Sequence, residues 1–220
     1  MNAEKITGSI AGCETNSVGE TPFRQIRAVY DGEVIRVYQA YSMAIAAAAL
    51  QKGTFASPPF KLDRMTWIKP SFLWMMYRCG WGYKDQNQER VLAIDISRSG
   101  FEWALEHSCL SHHSSKLEAG SDWEAKKMST PVRVQWDPER DLLSRPLAHR
   151  SIQIGLSEEA VLLYVNEWIK NISDVTDLAH SLYELVKRGD LAQAESSLPL
   201  ERPYSVSSAL EIKLGMPDKP

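Results

Sequence analysis

Cysteine is scarce in this sequence. Cys13, Cys79 and Cys109 are too few and too scattered to build a disulfide framework. Long apolar runs are missing too: the longest, Met43 to Leu50, has 8 residues where a bilayer span needs roughly 20. The opening Met-Asn-Ala-Glu-Lys lacks the apolar core of a secretory signal. Together these absences predict a soluble, cytoplasmic protein with no membrane partner. No single sign of charge dominates, since 25 Lys and Arg face 28 Asp and Glu for a net charge of −3. Any binding of nucleic acid must therefore come from a local patch. Neither a G-x-G-x-x-G nor a G-x-x-x-x-G-K-[ST] phosphate loop occurs, and no G-x-S-x-G elbow. Those gaps argue against dinucleotide-fold, P-loop and serine-hydrolase chemistry.

The apolar fraction of 44% is enough to bury a sizeable core. Residues 1–22 mix Gly, Ser, Thr, Asn and Glu and read as a flexible leader. Residues 203–220 carry three of the 11 prolines and read as a flexible tail, although Ala209 to Ile212 could dock. Between them, 23–202 reads as one α+β domain. Phe23 to Tyr30 alternates as a half-buried strand, Asp31-Gly32 signals a turn, and Val34 to Gln39 reads as the partner strand. The alanine-rich stretch from Ser42 to Gln51 predicts a helix stopped by Gly53, and Ser71 to Arg78 a second one ended by Gly80. Glu89 to Ile96 has strand chemistry and Gly100 to His107 helical chemistry. Val132 to Trp136 alternates as a strand closed by Asp137-Pro138, and Ser151 to Gly155 reads as another. The C-terminal third predicts two helices. In the first, Ser157 caps a run through Ile169; the second spans Val175 to Lys187. Strands come early and long helices late, without β-α-β alternation, so mixed or antiparallel sheets with packed helices are expected.

One window stands out for chemistry. From Lys61 to Gly100, seven basic residues outnumber the four acidic ones Asp63, Asp85, Glu89 and Asp95. Trp67, Phe72, Trp74, Tyr77, Trp81 and Tyr83 are interleaved with them. Arg and Lys neutralise phosphates and aromatic faces stack on bases, so Arg64, Trp67, Lys69 and Arg78 could form a nucleotide or nucleic-acid site. The same residues would equally make an aromatic core with a charged rim. Arg27, inside a strand, must face solvent or meet an anion. Tyr38, Gln39 and Tyr41 could place phenols and an amide at a sheet edge. Glu139 after the Asp137-Pro138 turn could act as a base or a ribose clamp, or sit in a surface ion-pair cluster. His107, Cys109, His112 and His113 invite a metal, with Asp122 and Glu124 in reserve, but the paired spacing of zinc sites is missing. A polar loop is the expectation there.

Several phrases occur jointly: Arg24-Gln25-Ile26-Arg27-Ala28, Val37-Tyr38-Gln39-Ala40-Tyr41, Arg64 to Phe72, Val134 to Arg140 and Arg150 to Leu156. From about Phe23 to Tyr204 the chain resembles a family described only as a domain of unknown function, number 4291. That family is in turn similar, remotely, to the ADP-ribosyltransferases. The resemblance implies NAD bound in a cleft between two small sheets, with a first-strand His or Arg, a central Ser or Tyr and a late-strand Glu. Arg27 or Gln39 would match the first element, and Glu139 or Gln153 the last. Arg27 would hold a phosphate of NAD, Tyr38 or Tyr41 would stack on nicotinamide, and Glu139 would steady the ribose oxocarbenium. The sequence departs from the pattern: no His stands in the first strands, and no Glu-x-Glu or Gln-x-Glu closes a strand. Transferase activity implied by the resemblance would be divergent or lost, which leaves a non-catalytic nucleotide-binding or nucleic-acid-binding module as the alternative. The functional expectation reduces to a spatial one, that Arg27 and the Trp67–Lys69 segment share an anion-accepting hollow.

Overall fold

Alternating side chains set the first strands of the computed structural model, which describes residues 21–55, 57–111 and 129–216. All but the last two residues of the expected leader lie outside these. The segment from Phe23 to Tyr30 is less of a strand than its alternation predicts. Only β1 (Arg27–Ala28) is ladder-paired, against a distant stretch near residue 202. The rest is stitched to several partners in turn: Phe23 O accepts from Arg150 N, Ile26 O from Tyr204 N, and Val29 O from Arg36 N. A segment shared among elements satisfies its backbone without forming a regular ladder. Asp31 then turns the chain, its Oδ1 accepting from Glu33 N at 2.8 Å and Val34 N at 2.9 Å.

β2 (Val34–Tyr41) leads into α1 (Met43–Lys52), which ends where Gly53 takes a left-handed φ of 71°. β3 (Thr66–Ile68) precedes α2 (Phe72–Cys79), capped by Ser71 Oγ accepting from Trp74 N at 3.1 Å and closed by Gly80 at φ 56°. β4 (Arg90–Ser97), α3 (Arg98–Glu106) and β5 (Ser108–Leu110) follow. β6 (Val132–Arg140) and β7 (Pro146–Leu156) form a long hairpin. Asp137-Pro138 does not close β6 as expected. The register shifts between Pro138 and Arg140, and at such a bulge a missing N–H costs little.

The region after Ser157 also departs from expectation. Ser157 does not cap a helix; its Oγ donates to Pro131 O at 2.9 Å. α4 (Glu159–Leu163) is short and widens into a π-turn at Tyr164–Trp168. Ile169, expected as the end of that helix, instead starts β8 (Ile169–Asp174). The wide turn seats Trp168 against α3, where a Cβ on Gly100 would stand 2.3 Å from Trp168 Cγ. α5 (Thr176–Arg188) ends at Gly189 as its sequence indicates, and α6 (Leu191–Ser196), β9 (Arg202–Pro203) and α7 (Ser208–Lys213) complete the chain. Residues 203–216 are docked rather than frayed: Tyr204, Leu210 and Leu214 are buried, and Leu214 O accepts from Trp136 Nε1 at 2.9 Å.

The described strands form three sheets: β1-β9, an antiparallel β2-β4-β8, and β3-β7-β6-β5 with β5 parallel to β6 and the other pairs antiparallel. This is the α+β arrangement expected. The β2-β4 pair is covered on both faces around its middle, which explains the unbroken burial of Val37, Tyr38 and Gln39. Ile35, Val37, Ile94 and Ile96 join α1, α3 and the four-stranded sheet in one core, while Tyr38, Val91 and Ala93 pack on α2 and α5 in another. Each fully buried side chain of this kind contributes about 1.5–3 kcal/mol. Bidentate Arg36–Asp95, with contacts of 2.7 and 2.9 Å, pins β2 to β4. No helix among the described residues is long and apolar enough to cross a membrane.

Candidate nucleotide cavity

Among the described residues the two larger sheets are joined at one bridge, where Tyr38 N donates to Lys69 O at 2.7 Å. Beside this seam opens a cavity of about 650 Å³, in the range that holds small ligands and cofactors. β2 contributes Gln39 and Tyr41, β3 contributes Thr66 and Trp67, and α2 contributes Met75 and Arg78. Gln135 and Gln153, directly opposed across β6 and β7, form part of the wall. Among the described residues four cations line it, Lys61, Arg64, Lys69 and Arg78, and no Asp or Glu does. Three of them are exposed at the rim, whereas Lys69 is buried.

The wall is held by hydrogen bonds that run between elements. Gln39 Nε2 lies 2.7 Å from Thr66 Oγ1, 2.9 Å from Tyr41 Oη and 3.1 Å from Trp67 O. Its Oε1 accepts from the Tyr164 hydroxyl at 2.7 Å. The amide is thus committed to joining β2, β3 and the π-turn. Tyr41 packs edge-on against Phe55 and Phe60, and burial raises its phenol pKa. Asp137 braces the wall from outside the lining, accepting from Gln135 Nε2 at 2.8 Å and from Gln153 Nε2 at 2.6 Å. It orients both amides without presenting its charge to the lining.

Lys69 is 6% exposed and donates to Trp67 O at 3.2 Å, with Nζ 5.4 Å from the Trp74 ring centroid. Burial, then the Arg78 guanidinium, push its ammonium down to about 7, against the pull of Asp137.

Of the residues singled out in the sequence, Gln39, Tyr41, Arg64, Trp67, Lys69 and Gln153 line this one cavity, and Arg78 joins them. Three others do not. Tyr38 is 1% exposed, its ring edge-on to Phe72, so it cannot stack on a ligand there. Arg27 is drawn off by β1–β9 pairing and donates to Gln25 Oε1 at 3.0 Å and Glu201 O at 3.2 Å. The hollow expected to unite it with Trp67 and Lys69 is lined without it. Glu139 is buried, with Oε1 accepting from Arg140 N at 2.8 Å, and is also outside the lining. Gln135 and Asp137 were missed, although the Val-Arg-Val-Gln-Trp-Asp alternation places both on one face of β6. At the suspected metal loop, the His107 ring stacks on Trp103, with Nδ1 2.8 Å from Trp103 O. His112, His113, Asp122 and Glu124 lie outside the described residues. No metal-holding cluster occurs among the described ones.

A family model described as a domain of unknown function, DUF4291, matches residues 25–204. No curated protein matches the chain.

Proposed function

The chain belongs to the DUF4291 family, and from that premise we propose that its cavity receives a phosphate-bearing nucleotide, NAD first among them, as an ADP-ribosyltransferase-like protein would. The observation that carries this reading is the charge of the lining: among the described residues it has four cations and no carboxylate, in a chain of net charge −3. A cleft lined by one sign of charge focuses its field and concentrates anions there. A pyrophosphate suits the rim formed by Arg64, Arg78 and Lys61, where guanidinium groups bind phosphate oxygens in pairs. The Trp67 indole offers a stacking face, and the amides of Gln135 and Gln153 offer polar contacts to a base or ribose. The position of the cavity at the seam of two sheets agrees with the cleft that the resemblance implies.

Transfer of ADP-ribose would require a carboxylate beside the ribose carbon as its bond to nicotinamide breaks and an acceptor bonds in its place. Glu139 stands outside the lining and is engaged by Arg140 N. That observation favours the second reading, nucleotide binding without transfer. Calorimetric titration with NAD, ADP-ribose and adenosine tests the common part. The expectation is binding of the two phosphate-bearing ligands, weakening with salt, and loss of about tenfold in affinity for Arg64→Gln or Arg78→Gln, equivalent to about 1.4 kcal/mol. Failure of both NAD and ADP-ribose to bind removes the proposal. Incubation with labelled NAD, with and without cellular RNA and protein, then separates the readings, because only the transferase leaves label on an acceptor.

A further inference from the structure

Lys69 differs from the other cations of the cavity. Lys61, Arg64 and Arg78 stand at the exposed rim, where water supports their charge, but Lys69 is 6% exposed. Among the described residues it forms no ion pair, and its hydrogen-bond partner is the neutral carbonyl of Trp67. The groups acting on it from the packed elements are Arg78 and Cys79 on α2 and Asp137 on β6. Asp137 is already shared between the Gln135 and Gln153 amides. A lysine that is desolvated, next to another cation and open to a cavity has the surroundings of an amine kept neutral for chemistry.

We propose that Lys69 is a nucleophile that captures carbonyl compounds bearing an anionic group, phosphorylated aldehydes in particular, as an imine inside the cavity. The neutral Nζ attacks the carbonyl carbon, one proton of the nitrogen passes to the carbonyl oxygen, and the carbinolamine loses its hydroxyl with the second nitrogen proton as water to leave a carbon–nitrogen double bond. No oxidant or reductant enters the step. The anionic group is required because a protonated imine is a cation in a lining that already carries Arg64 and Arg78. The ligand itself must bring the countercharge. This inference rests on the reading of the cavity as an anion acceptor.

Pyridoxal 5′-phosphate, trapped with borohydride and located by peptide mass, is the probe. The expected result is one label per chain on Lys69, at least tenfold above that given by unphosphorylated pyridoxal. Its labelling rate should rise through neutral pH, following the ammonium held near 7, and level off where exposed lysines continue to gain. Lys69→Met and Lys69→Arg should both lose the label. Label spread over surface lysines, a wild-type rate that keeps rising to alkaline pH, or unchanged labelling in both variants overturns the proposal. NAD distinguishes this inference from the one beneath it. Protection of Lys69 by NAD supports both. Labelling of Lys69 in a protein that binds neither NAD nor ADP-ribose keeps the nucleophile and removes the nucleotide. NAD binding with Lys69 unlabelled does the reverse.

Discussion

Glu201 joins the end of the chain to the start of a helix. Its Oε1 accepts from Phe72 N, in the first turn of α2, at 2.6 Å. A carboxylate is well placed at a helix N-terminus, yet burial pushes this carboxyl up to about 8, Phe72 N and Arg27 pull it down, and neighbouring Glu139 adds to the rise. The folded chain therefore holds a proton that the unfolded chain, with an ordinary value of 4.5, has released. The stability linked to that proton is complete below about 4.5 and is lost as the pH climbs through about 8. Glu201→Gln, which keeps an acceptor for Phe72 N, should flatten this decline. It should gain roughly 1–3 kcal/mol over the wild type at pH 8.5, read from denaturant midpoints measured across pH. A parallel decline in the variant would assign the pH dependence elsewhere. Nothing in the sequence around Leu200-Glu201-Arg202 pointed to this role. It depends on a partner 129 positions away, and no local pattern encodes such a distance.

Elements were legible where their punctuation is local. Gly53, Gly80 and Gly189 close α1, α2 and α5 where the sequence placed the stops; the Asp31-Gly32 turn signal located β2, strand-forming residues located β4 and part of β7, and alternation located the first part of β6. The failures have a common cause in tertiary contact. β1 finds its partner in β9 at the far end of the chain, and the helix after Ser157 turns into β8 because Trp168 and Tyr164 are held from outside, by Gly100 and Gln39. The site was half legible: cations and aromatics cluster in the sequence, but the amide wall comes from a hairpin some 70 residues further on. Two glycines test this account of close approach. At Gly155, opposite Trp67 across β3 and β7, an added Cβ would stand 2.8 Å from Met65 Sδ and 2.9 Å from Trp67 Cζ2. Gly155→Ala should displace these two cavity-lining side chains, shift tryptophan emission and weaken nucleotide binding about three- to tenfold. Gly100→Ala meets the body of a buried indole instead. It should cost stability, roughly 2–4 kcal/mol in denaturation. Equal stability losses in the two variants would contradict the distinction between wall and core.

Across the whole molecule, the last described residues act as part of the core. Tyr204 accepts from Arg98 Nε at 3.1 Å and donates to Glu102 Oε1 at 2.5 Å, while Leu210 and Leu214 close the base of the main cluster. Leu214→Ala should lower stability by about 2–4 kcal/mol, and a chain ending at Pro203 should lose its cooperative thermal transition in calorimetry. A native-like transition in the shortened chain would restore the view of a dispensable tail. Proline and polar residues read as loose ends when counted by type. The apolar spacing of Leu210 and Leu214 carried the opposite message, which Ala209 to Ile212 had hinted at.

The seam between Tyr38 and Lys69 has a mechanical consequence. Among the described residues one backbone bridge joins the two larger sheets along that line, and the Gln39 amide clasps it from inside. The sheets resemble two covers sharing a narrow spine, with the cations at the opening edge. A guest drawn in by those charges would press on both covers at once, so its arrival should be felt in the spine. The Tyr38 amide hydrogen, traded slowly with solvent deuterium while the spine stays shut, is the place to watch the molecule breathe.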